Sequence, residues 1–351
     1  MAVSATVLDL LLGECARRPF AGRLLSLGRQ DVWLPRAEIL AAASAKGVHL
    51  DETVGETLSN KHDLAQRACI SDDCLFDMLG FAHFTSLDSS PYEGADLVFD
   101  LNSPDVPESL RGACDVILDI GVLEHVFDIA QAMENIHTML AVGGRFVAVN
   151  PTVHTIDAAF YSLSPAFFHD FYTANAYDIN TIKVYSFPAG HYHNSAPARM
   201  IEYQPGMLDA IGVGIDGCYW DVFSVATKTP ASTGRMKPVQ RSYAEQWELA
   251  SLGMDLVRLL KGNRALRWKL IRSLEDDERR ELAHCLSIAD PLYPETACRG
   301  EAPCISVGCD EKDAEAPTRT GNGDAAGRRT VRSLLTRLRR AVVRARGQRA
   351  A

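Results

Sequence analysis

Short apolar runs alternate with stretches of helical periodicity over the first two thirds of the chain, and this alternation constrains the fold more than any other feature. Seven runs are short and apolar enough to be buried strands, and they lie at 23–28, 84–88, 96–100, 115–120, 145–150, 181–187 and 219–227. Helical patterns lie between several of them, at 34–47, 72–80, 107–112 and 128–144. Strands that alternate with helices form a parallel sheet covered on both faces. The sequence therefore predicts an α/β fold.

Two local features of this pattern give more detailed expectations. The runs at 181–187 and 219–227 have no obvious helix between them, so we expect them to form a hairpin at one edge of the sheet. The helix within 128–144 is expected to end at Gly143 and Gly144, because glycine is the common residue just after the last turn of a helix.

Composition excludes several classes of protein. The chain has 351 residues, of which 47% are hydrophobic and 23% charged, so it can bury a globular core and is not disordered by composition. No window approaches the roughly 20 apolar residues that a membrane-spanning helix needs. The nine cysteines are scattered and follow no secretory signal. We therefore expect a cytoplasmic protein with reduced thiols.

The charges are distributed unevenly along the chain. Nine of the 36 basic residues lie from Arg328 onward, where there is no acidic residue, which leaves 27 basic against 45 acidic residues before it. An acidic body repels nucleic acid, so we do not expect a nucleic-acid partner.

Carboxylates and glycines follow the ends of the first four predicted strands. The first ends at Gly28, the second at Asp88, the third at Asp100, and the fourth at Asp119, Ile120 and Gly121. Ligands of open α/β sheets bind outside the carboxyl ends of the strands. A carboxylate after the second strand can accept both hydroxyls of a ribose, and one after the third lies where an exocyclic amine would be, so an adenosine fits. The alternative is that these aspartates only cap turns and helices.

Residues 86–151 resemble the class I S-adenosylmethionine-dependent methyltransferases, in particular the bacterial proteins related to the type 11 group. The most specific part is DVILDIGVLEHV at 115–126, followed by a helix and then by MLAVGGRF. The resemblance covers roughly residues 20–230. It implies a Rossmann-like, seven-stranded, mostly parallel sheet with an antiparallel last strand. It also implies S-adenosylmethionine as the cofactor and methyl transfer as the reaction.

The resemblance implies roles for residues at the carboxyl ends of the strands. They are Gly28 in the cofactor loop, Asp88 with Ser89 at the ribose, Asp100 and Leu101 at the adenine, and Ile120 and Gly121 beside the methionine part. His125 is expected to begin the helix beneath the site.

The loop after the first strand departs from the family's pattern. An acidic residue two positions before the first glycine and two further glycines are usual, whereas this chain has Ser26 and then Arg29, Gln30 and Asp31. Because glycine lets the backbone approach a ligand closely, we expect a tighter or differently shaped pocket. Arg29 or Asp31 would then bind the amino acid end of the cofactor. The alternative is that Arg29 caps the rim of the sheet, in a protein that has the fold without the activity.

The chain is expected to consist of four parts. They are a methyltransferase-like domain at 1–230, a helical annex at 231–297, a flexible linker at 298–327 and a basic tail at 328–351. Within the first part, the 60 residues between Gly28 and Asp88 are about twice what a strand-helix-strand crossover needs. We therefore expect an insertion of extra helices at about 35–83, which would line the entrance to the site.

The tail has the pattern of a basic amphipathic helix at 328–349. Such a helix can lie on an anionic membrane or fold back on the acidic body of its own protein. Peripheral contact with the inner face of the membrane is therefore an expectation beside the cytoplasmic location. The sequence does not indicate the oligomeric state.

The end of the fifth strand supplies candidates for the chemistry. Methyl transfer needs the acceptor and the methyl group aligned in a dry pocket, and a base if the acceptor is a hydroxyl. His154, Asp157 and Tyr161 could supply that base, and histidine titrates closest to neutrality. A solvent-facing loop histidine is the equal alternative.

The sequence also gives expectations about the acceptor and about metal ions. By analogy with the association of such proteins with polysaccharide and secondary-metabolite pathways, we expect a glycan, a glycolipid or another small molecule as the acceptor. We expect no metal, because His191 and His193 have no further ligands at a suitable spacing.

Overall fold

The computed structural model describes residues 2–153, 157–188, 199–207, 218–241, 243, 244 and 247. The described residues up to Pro238 form one compact unit, and those after it belong to a second unit. His154, the linker, the tail, most of the annex and the pair His191 and His193 lie outside the described residues.

Ten strands lie within the described residues, and eight of them form one sheet. The strands are β1 (Ala2–Val3), β2 (Arg23–Leu27), β3 (Asp31–Val32), β4 (His83–Asp88), β5 (Leu97–Val98), β6 (Cys114–Ile120), β7 (Leu140–Val153), β8 (Asp178–Pro188), β9 (Arg199–Glu202) and β10 (Cys218–Thr227). The large sheet has the order β5-β4-β2-β6-β7-β10-β8-β9, while β1 and β3 pair with each other in parallel. The seven predicted strands are thus all present.

The large sheet is mostly parallel, as predicted. Neighbouring strands pair in parallel along the series β5, β4, β2, β6 and β7. Strand β10 lies between β7 and β8 and is antiparallel to both. The expected hairpin at the edge is wrong in its placement, because β10 lies inside the sheet and β9 forms the edge beside β8. No signal predicted β9, since it is four residues long and mostly exposed and has no apolar run.

Six α-helices lie within the described residues. They are α1 (Ala5–Arg17), α2 (Arg36–Ala45), α3 (His62–Gln66), α4 (Asp72–Met78), α5 (Ile129–Met139) and α6 (Pro165–Ala174). Three of them, α2 to α4, lie between β3 and β4. No helix of the described ranges is long and apolar enough to cross a bilayer.

The prediction that glycines end α5 is wrong. The helix ends at Met139, and the next residue, Leu140, already belongs to β7. Gly143, with φ +83°, and Gly144 lie within that strand. The chain passes from helix to strand with no loop between them, so no glycine is needed to stop the helix.

A buried ion pair attaches α1 to the sheet. Arg145 of β7 and Glu14 of α1 are 2% and 3% exposed, and Arg145 Nη1 lies 2.6 Å from Glu14 Oε1. Arg145 also donates to the carbonyl oxygens of Arg18 and Pro19. Through these three hydrogen bonds, the buried charge of Arg145 fixes the position of α1 on one face of the sheet.

Candidate active site

Two glycines turn the chain at the ends of neighbouring strands. Gly28 follows β2 with φ +73°, and Gly121 follows β6 with φ +78°, in the left-handed region where glycine has no steric penalty. Gly28 N donates to Leu87 O at 2.7 Å, and Gly121 N donates to Val149 O at 2.9 Å. We call the edge of the sheet where β2, β4, β6 and β7 end the carboxyl edge.

Arg29 in the loop after β2 is held by two carboxylates of α4. Its Nη2 lies 2.5 Å from Asp72 Oδ1 and 2.5 Å from Asp73 Oδ2. The second oxygen of Asp72 accepts from Gln30 N at 2.9 Å. The 35–83 stretch therefore fixes the loop, and the guanidinium of Arg29 already has two acidic partners.

Gln30 fills the space beneath the same loop. Its side chain is 4% exposed, and Nε2 donates to Leu27 O at 3.1 Å. Its Oε1 is buried and has no hydrogen-bond partner among the described residues. Ser26 Oγ donates to Gly28 O at 2.8 Å. Side chains thus occupy a loop that glycines would leave open, and one buried acceptor is left unsatisfied.

Asp88 and Asp100 lie where the sequence places them, and both also act in turns. Asp88 Oδ1 accepts from Ser90 N at 3.0 Å and from Ser89 Oγ at 3.3 Å. Asp100 Oδ1 accepts from Asn102 N at 2.9 Å. Each bond uses Oδ1 only, so capping a turn and offering Oδ2 to a ligand are compatible.

A cavity of about 210 Å³ lies at the carboxyl ends of β6 and β7. Its wall includes Ile120, Gly121 and His125 of the predicted site together with Asp31, Glu124 and Asp221. Ala2 of β1, the N-cap residue Ser4 and Val7 of α1 also line it. The carboxylate of Asp31 pairs with Lys61 Nζ at 2.7 Å. Sites for whole ligands usually enclose about 300–1,000 Å³, so this cavity can hold one part of a larger ligand.

Two buried carboxyl groups, Asp119 and Glu124, share one amide beside the cavity. Asn150 Nδ2 donates to Asp119 Oδ2 at 2.7 Å and to Glu124 Oε2 at 3.0 Å. Asp119 Oδ1 also accepts from Val122 N at 2.9 Å. Burial, followed by the charge of Glu124, raises the pKa of Asp119 to about 7. Burial also raises the pKa of Glu124. We call Asp119 and Glu124 the carboxyl pair.

The structure corrects two expectations about β6 and the residues after it. Asp119 lies at the end of β6, where the sequence predicts ligand contacts, yet it is fully buried. His125 does not begin a helix, because it belongs to a short 3-10 turn and α5 begins only at Ile129. The reason is Asp128, whose side chain accepts from Gln131 N at 3.0 Å and caps α5 there. His125 lines the cavity, where partial burial lowers its pKa.

The remaining predicted residues lie away from the cavity wall. Leu101 is 4% exposed and packs in the core. Asp157, with φ +66°, and Tyr161 are not among the described residues that line the cavity. Tyr161 Oη donates to Phe127 O at 2.7 Å. No group of three side chains suited to a metal ion occurs in the described part of the chain.

Glu124, Asn150 and Asp221 are site residues that the sequence patterns did not indicate. Each of them is buried. A polar residue within or beside an apolar run must find a partner or face a cavity, because an unpaired buried polar group is costly. That signal was present in GVLEHV, RFVAVN and YWDVFSVAT.

The order of the predicted strands decides the fold. Numbered along the chain, they lie in the order third, second, first, fourth, fifth, seventh, sixth, and only the seventh is antiparallel. The chain has the class I methyltransferase fold. With this fold, the cavity lies beside the strand that carries the DVILDIG segment.

No protein-family model matches the chain, and no curated protein matches it. Solved structures similar to it include an S-adenosylmethionine-dependent methyltransferase from Archaeoglobus fulgidus, with 11% identity over 63% of this chain and 94% of the other and a TM-score of 0.31. Another from Mesorhizobium loti has 13% identity over 45% and 86%, with a TM-score of 0.29. The YcgJ protein from Bacillus subtilis has 13% identity over 62% and 97%, with a TM-score of 0.31.

Proposed function

We propose that the protein is an S-adenosylmethionine-dependent methyltransferase that methylates an oxygen of a glycan, a glycolipid or another small metabolite. The observation that supports it is the cavity at the carboxyl edge of a class I fold. This cavity brings Ile120, Gly121 and His125 together with three acidic side chains. Ligands of open α/β sheets bind at this edge.

The polar groups at the carboxyl edge fit the chemistry of this cofactor. S-adenosylmethionine carries a sulfonium and an ammonium group as well as ribose hydroxyls, and its sulfonium supplies the methyl group. Asp88 offers Oδ2 to hydroxyl donors, and Glu124 offers a carboxyl group to a cation in the cavity. The buried Oε1 of Gln30 has no donor among the described residues. Cofactor binding would therefore rely on acceptors more than on glycine amides.

The chain's own contribution to the reaction is to exclude water and to accept a proton. Apolar side chains of β6, β7 and β8 form part of the cavity wall, for example Ile120, Val149 and Phe187. A hydroxyl acceptor must lose its proton as it is methylated. His154, Asp157 and Tyr161 stay candidates for that base, with His154 outside the described residues.

A second candidate function is a methyltransferase fold that binds the cofactor or a partner without turnover. The loop after β2 favours it, because Arg29 is bound to Asp72 and Asp73 and the side chain of Gln30 fills the loop. A ligand at this loop would have to displace one of these contacts.

Calorimetric titration with S-adenosylmethionine and with S-adenosylhomocysteine tests the proposal, followed by mass spectrometry of candidate acceptors. Binding of both ligands together with a mass gain of one methyl group on an acceptor supports the enzyme. Binding without methylation of any glycan or metabolite supports the second candidate. Absence of binding by both ligands would contradict the cofactor assignment.

The basic tail at 328–349 suits an acceptor that is linked to a lipid. An arginine near an anionic leaflet contributes about 1 kcal/mol, and a leucine face adds buried apolar area. Flotation with anionic liposomes, for the full chain and for a chain ending at Gly327, tests this contact. We expect only the full chain to float at low salt. Recovery of both forms in the bottom fraction would contradict membrane binding.

A further inference from the structure

The two acids of the carboxyl pair are buried, share one amide donor and have no salt bridge to a described residue. Asp119 and Glu124 are 0% and 4% exposed, and a single nitrogen atom of Asn150 lies within 3.0 Å of both. Neither of them forms a salt bridge with a described residue. Two carboxylates this close, away from water and without a salt bridge to a described residue, cannot both ionise at low cost. The pair therefore holds a proton near neutral pH.

Asn150 supplies a second observation at the same place. It is 1% exposed and its side chain is directed at the carboxyl pair, yet its Oδ1 has no partner among the described residues. With its nitrogen donating to both acids, the Asn150 amide suits the ionised pair. If the amide group rotates by half a turn, its oxygen can accept a hydrogen bond from a protonated carboxyl group. Asn150 can therefore serve either state of the pair.

Among the charged groups near the pair, the N-terminal ammonium group lowers the pKa of Glu124, but burial outweighs this effect and the pKa of Glu124 is raised overall. The remaining ionisable groups that face the pair supply no positive charge. Asp31 lies across the cavity but is already bound to Lys61, and Asp221 is another buried acid. Partial burial lowers the pKa of His125, which favours its neutral form. On the other side of Asp119, burial raises the pKa of Tyr172, so that group stays neutral as well.

We propose that the carboxyl pair recognises the positive charge of the cofactor's sulfonium, and that the pair releases a proton to solvent when that charge enters the cavity. The inference rests on the proposed cofactor. Glu124 is the member of the pair that lines the cavity. A cation beside Glu124 stabilises the pair with both carboxyl groups ionised. Binding of the sulfonium therefore releases the proton that the pair shares. S-adenosylhomocysteine has the same amino acid and adenosine ends with an uncharged sulfur, so it cannot drive this release.

The test compares proton release by the two ligands. Calorimetric titration of the full chain at pH 6.5, in buffers with different ionisation enthalpies, gives the number of protons released. We expect S-adenosylmethionine to release about half to one proton more than S-adenosylhomocysteine. Its affinity is expected to rise up to about tenfold per pH unit between pH 5.5 and 7, relative to the other ligand.

Glu124→Gln is expected to abolish this difference between the ligands. Glu134→Gln changes an acid that is paired with Arg235 at the surface, and it is expected to keep the difference. If Glu124→Gln does not fold, Asp119→Asn takes its place. Equal proton release by both ligands in the unaltered chain, or a difference that persists in Glu124→Gln, would overturn the inference and leave the cofactor assignment intact. Failure of both ligands to bind would overturn the proposed function and this inference with it.

Discussion

Two buried aspartates, Asp72 of α4 and Asp119 of β6, have opposite electrostatic surroundings. Asp72 faces the guanidinium of Arg29 and accepts from Gln30 N, so its charge has a cation and an N–H donor. Asp119 faces a second acid, Glu124, and shares with it the amide of Asn150. Burial raises the pKa of both aspartates, but a cation opposes that increase only at Asp72.

This difference separates a structural carboxylate from one available for function. A satisfied ion pair holds its segment in place, and the folded protein loses stability when one partner is removed. A carboxyl without a cation is a local cost that persists where a ligand or a reaction uses it. Removal of the same charge should therefore have opposite signs at the two sites.

The largest effect is expected at Asp72. Asp72→Ala leaves the buried Gln30 N–H without its acceptor and takes the buried partner from Arg29, so we expect it to lower the free energy of unfolding by about 3 kcal/mol. Asp73→Ala is the matched control, because Asp73 lies in the same first turn of α4 and binds the same arginine, but its side chain is 53% exposed. There we expect at most about 1 kcal/mol. Urea unfolding measures both, and equal losses would contradict the distinction.

The opposite sign is expected at Asp119. Its pKa in the folded protein is about 7, above the value near 3.8 of the free side chain, so between these values the folded state binds the extra proton. Stability should then fall as the pH rises from 5 to 7, by up to about 1.4 kcal/mol per unit. Asp119→Asn keeps an oxygen for Val122 N and removes the charge. We expect it to flatten this slope and to stabilise the protein at pH 7 by about 2 kcal/mol.

Urea unfolding at several pH values tests this second prediction. Asp105→Asn, at an exposed position, is the control and should leave the slope unchanged. If Asp119→Asn is less stable than the unaltered protein at pH 7, the contacts of Asp119 outweigh the cost of burying its charge, which would contradict the prediction.

A third prediction concerns ligand affinity at the carboxyl edge. Asp88→Ala removes the carboxylate expected at the ribose hydroxyls, and the loss of charge-assisted hydrogen bonds should weaken S-adenosylmethionine binding by about 1.5–3 kcal/mol. Asp88→Asn keeps an acceptor for Ser90 N, so it separates loss of the turn from loss of the charge. Calorimetry on the folded variants is the measurement. Unchanged affinity in Asp88→Ala would remove the end of β4 from the site.

The smallest effect is expected at Tyr161. Tyr161→Phe removes one hydrogen bond to Phe127 O in an exposed region, so we expect a loss of about 1 kcal/mol or less in the free energy of unfolding. If an acceptor becomes known, the same variant tests Tyr161 as the base. A fall in turnover of about a hundredfold or more would assign the proton transfer to Tyr161.

The sheet could be predicted from the sequence because each of its seven main strands is a run of neighbouring residues. Burial on both faces of a parallel sheet requires continuous apolar runs, and such a run is visible in a single sequence. The edge strand β9 is mostly exposed and needs no continuous apolar run, so the sequence did not predict it. Gly28 and Gly121 could be placed for a related reason, since each directly follows such a run.

The contacts that give the site its character could not be predicted in this way. Arg29 and Asp72 are 43 residues apart, and Asn150 and Asp119 are 31 apart. Nothing in a local pattern shows which distant charge a side chain meets. For the same reason the sequence suggested that Arg29 was available to a ligand, whereas the fold gives it two acidic partners.

The cavity wall joins residues from opposite ends of the first compact unit. Ala2 and Ser4 come from its beginning, Asp221 comes from β10 near its end, and Ile120 lies between them. Contacts between such distant segments form late in folding, because the entropy of closing long loops must be overcome first. A chain in which only β2, β4 and β6 had paired would still lack this enclosure. A small ligand that binds there would thus recognise only the completed native state, and its signal would appear in the slowest refolding phase.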